Sequence, residues 1–85
     1  MNNTQKMSPA IEMSIQNRRL DFIGHYIKEL RIDQGMTQYE AASGIGISRH
    51  TLQNVEHGRN INLTTIFKLS DFFELSINEF FVDVE

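Results

Sequence analysis

TQYEAASGIGISRHTLQNVEHG, residues 37–58, decides how this chain folds. Two glycines, Gly44 and Gly46, interrupt a run that otherwise favours helix, and Ser48 then restarts it. Thr37-x-x-Glu40 is the pattern of a capping box, in which hydroxyl and carboxylate each satisfy a backbone N–H that the first helical turn leaves unpaired. Ser48 offers the same service to a second helix. Gly46 can take the positive φ that a β-carbon penalises, which lets the chain turn sharply between the two helices. Ala42 is small enough to let them approach closely, and Ile45, Ile47, Leu52 and Val55 supply apolar contacts across the crossing. Two short helices joined by a glycine-containing turn of a few residues form a helix-turn-helix. Gly44 has no such role in this reading and is assigned to the exposed side, where it costs about 1 kcal/mol relative to alanine.

Outward from that stretch the pattern stays helical. Toward the N-terminus, Ile23, Ile27 and Leu30 recur at three and four residue intervals from Asp21, a candidate N-cap, to Gly35, a candidate C′ glycine. Before them, Ser8-Pro9 has the composition of a helix start, with Ile11, Ile15 and Phe22 near one face; where that segment ends is left open. Toward the C-terminus, Asn62 caps a helix with Leu63, Ile66, Leu69 and Phe73 inward. Ser76-x-x-Glu79 then opens a short fifth helix carrying Ile77, Phe80 and Phe81. Val82 to Glu85 alternates with period two and reads as a short strand or a tail. The expected fold is all-α, a five-helix bundle over residues 21–81. An N-terminal extension over 1–20 is helical in part or disordered, and an acidic tail spans 82–85.

The chain has 85 residues, enough for one small domain, with 40% hydrophobic and 22% charged residues. It contains no cysteine, which excludes disulfides and thiolate metal sites. No apolar run is long enough to span a membrane, and residues 1–14 lack the apolar stretch of a signal peptide, so a cytoplasmic protein is expected. The net charge of −3 argues at face value against a nucleic-acid partner. Its distribution argues the other way. Asp71, Glu74, Glu79, Asp83 and Glu85 have no basic residue among them, and residues 1–68 hold 8 basic against 6 acidic groups.

In order along the chain stand Leu-Arg before Gly35, Thr-Gln opening one helix, Ala42, Gly46, Ile-Ser opening the next, Glu56-x-Gly58, and the Leu/Ile pattern beyond. With these signals, residues 23–81 resemble the phage repressor and Cro (Xre) family of helix-turn-helix DNA-binding domains. The resemblance implies a sequence-specific regulator that binds double-stranded DNA as a homodimer. By position it implies that Arg49, His50 and Asn54 reach base edges, with Gln53 beside them. Gln38, Thr51, Arg59 and Asn60 fall to phosphate, and Gln38 also braces the recognition helix. It implies an ion pair between Arg31 and Glu56 and structural roles for Ala42 and Gly46. The residues agree independently: with Leu52 and Val55 buried, Arg49, His50, Gln53, Asn54 and His57 lie on accessible faces. Arginine and asparagine are side chains suited to guanine and adenine in the major groove. Ala41 departs from the family, which has a bulky aliphatic there, and Tyr39 is the side chain available to compensate.

Other chemistries are poorly supported. His25, His50 and His57 show no metal-ligand spacing, so neither metal nor cofactor is expected. No nucleophile elbow is present, so no enzyme is expected. Phe72, Phe73, Phe80 and Phe81 are more aromatic bulk than one small core readily hides, which suggests a subunit interface from Phe72 to Val84. Two alternatives stand beside the regulator. One is an antitoxin holding a basic toxin with its acidic, aromatic tail, and the other is a protein-interaction module that has lost DNA binding.

Overall fold

The computed structural model describes residues 9–81, with side chains from residue 17 to residue 80. Four α-helices, α1 (Pro9–Asp33), α2 (Gln38–Ile45), α3 (Arg49–Glu56) and α4 (Leu63–Phe73), are followed by a 3-10 helix, Ile77–Phe81. The described residues contain no strand. Ser8 as a cap, the Ile11 and Ile15 face, the Phe81 side chain and the tail at 82–85 lie outside what is described.

The caps form as the sequence requires. Thr37 accepts from the Glu40 amide at 3.1 Å while the Glu40 carboxylate accepts from the Thr37 amide at 2.8 Å. Ser48 Oγ accepts from the Thr51 amide, and Asn62 Oδ1 from the Thr65 amide. Gly46 has φ 90° and ends α2, its amide donating to Ala42 O. Gly35 likewise turns the chain with φ 70° after α1.

The structure closes one open question and corrects one expectation. The N-terminal segment and the first bundle helix are one helix of 25 residues, with no break at Asp21. The fifth helix is a 3-10 helix, leaving four α-helices rather than five. Its capping box is also incomplete: Glu79 accepts from the Ser76 amide, but Ser76 Oγ accepts from the Asn78 amide. A run of only five residues has few i→i−4 bonds to gain, and the tighter turn prevails.

One core unites the elements. Ile27, Leu52, Leu69 and Val55 are fully enclosed, joined by Ile23, Ala41, Ala42, Ile45, Ile66, Phe73 and Phe80. Helix α3 packs on both α1 and α2, and α2 packs also on α4. Of the phenylalanines near the C-terminus, the three whose side chains are described pack onto this core to different degrees. Phe73 and Phe80 are buried, and Phe72 lies half-buried with its ring edge-on to Phe73 at 4.9 Å. The Phe81 side chain, Val82 and Val84, the rest of the expected subunit interface, lie outside what is described. Leu63, expected inward, is exposed, as is Phe22.

Two helix glycines have packing causes. Gly44 is exposed, as the sequence reading has it, and it also makes room for α4, because a β-carbon there would overlap the Phe72 ring. A β-carbon on Gly24 would overlap the carbonyl oxygen of Val55, so α1 rests directly on the C-terminal turn of α3. Backbone cannot move aside as a flexible side chain can. Gly24→Ala should therefore lose about 1–3 kcal/mol by overpacking, despite a gain of about 1 kcal/mol in intrinsic helix propensity. Urea unfolding checks this, and a stabilised variant would contradict the close approach.

The 3-10 helix is tied back to α1. Tyr26 donates its hydroxyl proton to Glu79 Oε1 at 2.8 Å, and this hydrogen bond, then burial and the carboxylate's charge, raises the Tyr26 pKa above the usual 10. Because the folded value is the higher one, this contact stabilises fully below the unfolded pKa of about 10 and is lost as pH rises through the folded pKa. In an alkaline absorbance titration, the tyrosine step missing from Tyr26→Phe should lie above about pH 10. A step at or below that value would contradict the contact.

Candidate nucleic-acid interface

The helix-turn-helix is held by a buried polar junction as well as by apolar contact. Arg31 on α1 reaches Glu56 at the end of α3, with Nε donating to Oε2 at 2.7 Å and Nη2 to Oε1 at 3.0 Å. The side chains are 11% and 3% exposed. Arg31 Nη1 also donates to Met36 O at 2.8 Å, so the same guanidinium secures the loop before α2. Gln38 completes the junction from α2, donating to Glu56 Oε1 at 3.0 Å and accepting from Gln53 Nε2 at 3.4 Å. The hydrogen bond to Glu56, opposed by desolvation and helped by the carboxylate's charge, raises the Arg31 pKa, so the guanidinium stays charged. Three helices thus meet on one carboxylate, and the orientation of α3 is fixed by directional bonds.

With Leu52 and Val55 inward, α3 turns its first residues to solvent. Arg49 and His50 are exposed, and Asn54 and Gln53 are half-buried on the flank. His50 and Asn54, one turn apart, lie within 3.4 Å through Nε2 and Nδ2. Arg59, in the loop after α3, donates from Nη1 to Asn54 Oδ1 at 3.2 Å. Exposed Asn60 follows it, and Thr51 Oγ1 accepts from the Ser48 hydroxyl at 2.9 Å, which leaves its own O–H to donate. The structure therefore joins His50, Asn54 and Arg59 by side-chain contacts, while Arg49, also exposed, lies against Tyr39. Gln38 and Gln53, both half-buried, are hydrogen-bonded to each other at the edge of the Glu56 junction.

Two residues carry contacts that the sequence pattern does not announce. Tyr39 does not fill the space beside Ala41; it is 68% exposed, and Arg49 lies over its ring, the guanidinium carbon 4.5 Å from the centroid. Lys68 on α4 donates to Gly46 O at 3.1 Å and closes the turn from the far side. Neither has a periodic signal, because each acts across a helix crossing whose angle the sequence does not display.

This surface presents hydrogen-bond donors suited to phosphate oxygens and base edges. The chain's likenesses agree with that geometry. Residues 27–80 match the family model described as helix-turn-helix. Over 60 residues the chain is 35% identical to the cryptic phage CTXphi transcriptional repressor RstR of Vibrio cholerae, covering 69% of this chain and 54% of that one. The chain thus spans about half the length of that relative. It is also 35% identical over 57 residues to an HTH-type transcriptional regulator of Archaeoglobus fulgidus, covering 66% and 81%. Among solved structures it is similar to the restriction-modification controller protein C.AhdI from Aeromonas hydrophila, with TM-score 0.65, 32% identity, and 72% and 94% coverage. A mutant of the controller protein C.Esp1396I follows at TM-score 0.59 and 25% identity, covering 78% of this chain and 81% of that one.

Proposed function

Since the chain belongs to the helix-turn-helix family of DNA-binding regulators, we propose that it regulates transcription by reading an inverted-repeat operator, as a repressor or controller, through α3. The observation that carries this reading is the placement of Arg49, His50 and Asn54 on the open side of a helix whose other side is locked by Arg31–Glu56 and Gln38. A recognition helix must enter the major groove as a rigid body, with the residues of its first turns at the base edges. Arg49 and His50 are the first two residues of α3. Arg49 would take guanine and Asn54 adenine, with His50 and Gln53 beside them. Arg59, Asn60, Thr51 and the amide of Gln38 would contact phosphate and fix the register.

One helix reads only a few base pairs, so a homodimer on two half-sites about one helical turn apart is part of the proposal. With a net charge of −3, few phosphates can be neutralised, and a second copy supplies the affinity one domain lacks. The antitoxin alternative drew its support from an aromatic tail, and Phe72, Phe73 and Phe80 are packed against the body of the protein instead. No helix among the described residues is long and apolar enough to cross a membrane. Selection of bound sites from random DNA at two salt concentrations tests the reading. Enrichment of an inverted repeat supports it. No enrichment at either salt would favour a protein-interaction module.

A further inference from the structure

Arg49 is the residue with most to gain from being held still. A free arginine side chain has several rotatable bonds and can bond a phosphate as readily as a base. In this chain it does not stand free. Tyr39, the second residue of α2, lies beneath it, with the guanidinium carbon 4.5 Å from the ring centroid and Nη1 3.4 Å from the hydroxyl oxygen. The first turns of both helices are anchored independently of any ligand, α2 by the Thr37–Glu40 box and α3 by Ser48. The crossing that sets the distance between them is packed on Ala41, Ala42 and Leu52, all buried. At 68% exposed, Tyr39 contributes little to that core, and its ring and hydroxyl both meet Arg49.

We propose that Tyr39 is a positioning and specificity-determining residue for DNA reading: its ring carries the Arg49 guanidinium and aims it at a guanine edge. The inference rests on α3 being the recognition helix. A guanidinium stacked on a ring uses its face there and keeps its N–H edge in the plane, which is the edge that pairs with guanine O6 and N7. A guanidinium so held cannot swing freely to a phosphate or to a different base. Removing the ring should therefore cost discrimination more than it costs general DNA affinity. A cation over an exposed ring corresponds to roughly a two- to fivefold change in a binding constant.

The test uses the full chain, its selected site, and the same site with the guanine opposite Arg49 replaced. Tyr39→Leu should melt like the wild type and bind scrambled DNA equally well. It should bind the selected site about two- to fivefold more weakly, with preference for the guanine reduced. Tyr39→Phe keeps the ring and should keep the preference. In an Arg49→Ala background, Tyr39→Leu should change nothing further. Without DNA, the Arg49 Hδ resonances should be shifted upfield by the ring in the wild type and in Tyr39→Phe, and return to ordinary positions in Tyr39→Leu. Unshifted wild-type resonances would overturn the stacking. Undiminished discrimination in Tyr39→Leu would overturn this role while leaving the regulator standing. A wild-type chain that selects no site would overturn both.

Discussion

Glu56→Gln should lower the unfolding free energy by about 3 kcal/mol or more, because it leaves a charged guanidinium buried without its counter-ion. The Glu56 side chain is 3% exposed and accepts three hydrogen bonds, two from Arg31 and one from Gln38. Glutamine has nearly the same shape, so the loss is not one of volume. It removes the charge and puts an NH2 group where one of those donors points, opposing donor to donor. Exposed ion pairs are worth under about 1 kcal/mol, since water screens them and two long side chains must be ordered. Here the carboxylate is almost wholly enclosed and Arg31 nearly so, and the larger range applies. Urea unfolding decides between the two, and a loss within about 0.5 kcal/mol would contradict the buried-pair account. Replacing both partners with apolar residues should restore part of the loss, because no orphaned charge then remains.

The same junction explains why a surface helix can serve as a rigid reader. Helix α3 is eight residues long, too short to be stable alone in water. Leu52 and Val55 hold it by non-directional apolar contact, which leaves rotation about its own axis loosely defined. The bonds from Arg31 and Gln38 to Glu56 fix that rotation. Orientation of Arg49 thus depends on a cluster of residues at the opposite end of α3.

What could be read in the sequence was what local chemistry dictates. Thr37, Ser48 and Asn62 cap helices because a short polar side chain can reach an unpaired amide only at a helix start. Gly46 must take positive φ because the turn needs it. Asp21 also has a capping side chain, but the helix runs straight through it. Gly24 gives no local signal of its role, which is contact with the Val55 carbonyl, far along the chain. The end of α4 carried no glycine signal either, since Glu74 itself takes the left-handed conformation there with φ 56°. Gly44 beneath Phe72 and Tyr39 beneath Arg49 belong with Gly24. All three are consequences of how helices cross, and a crossing is a property of the assembled core.

Arg49→Ala should cost about 1–3 kcal/mol of affinity for the selected site and relax the preference at one base pair in each half-site. Arg59→Ala should instead weaken all sequences alike and reduce the salt dependence by about one unit for each phosphate no longer held. The contrast follows from where the two residues sit. Arg49 is the first residue of α3, beside the Ser48 cap, at the end of the helix that enters the groove in this motif. Arg59 lies beyond the C-terminal end of α3, exposed, its guanidinium 3.2 Å from Asn54 Oδ1. From that position it reaches the strand flanking the groove more readily than its floor. With Asn54 reading adenine as proposed, its carbonyl oxygen would be needed there, and Arg59 would be released toward the backbone. Affinities of both variants on the selected site and on scrambled DNA, across a salt series, separate the roles. An Arg49→Ala chain that loses affinity for both equally, with specificity intact, would make Arg49 a backbone contact. An Arg59→Ala chain that loses preference at an adenine would show that Arg59 acts through Asn54 and not through phosphate.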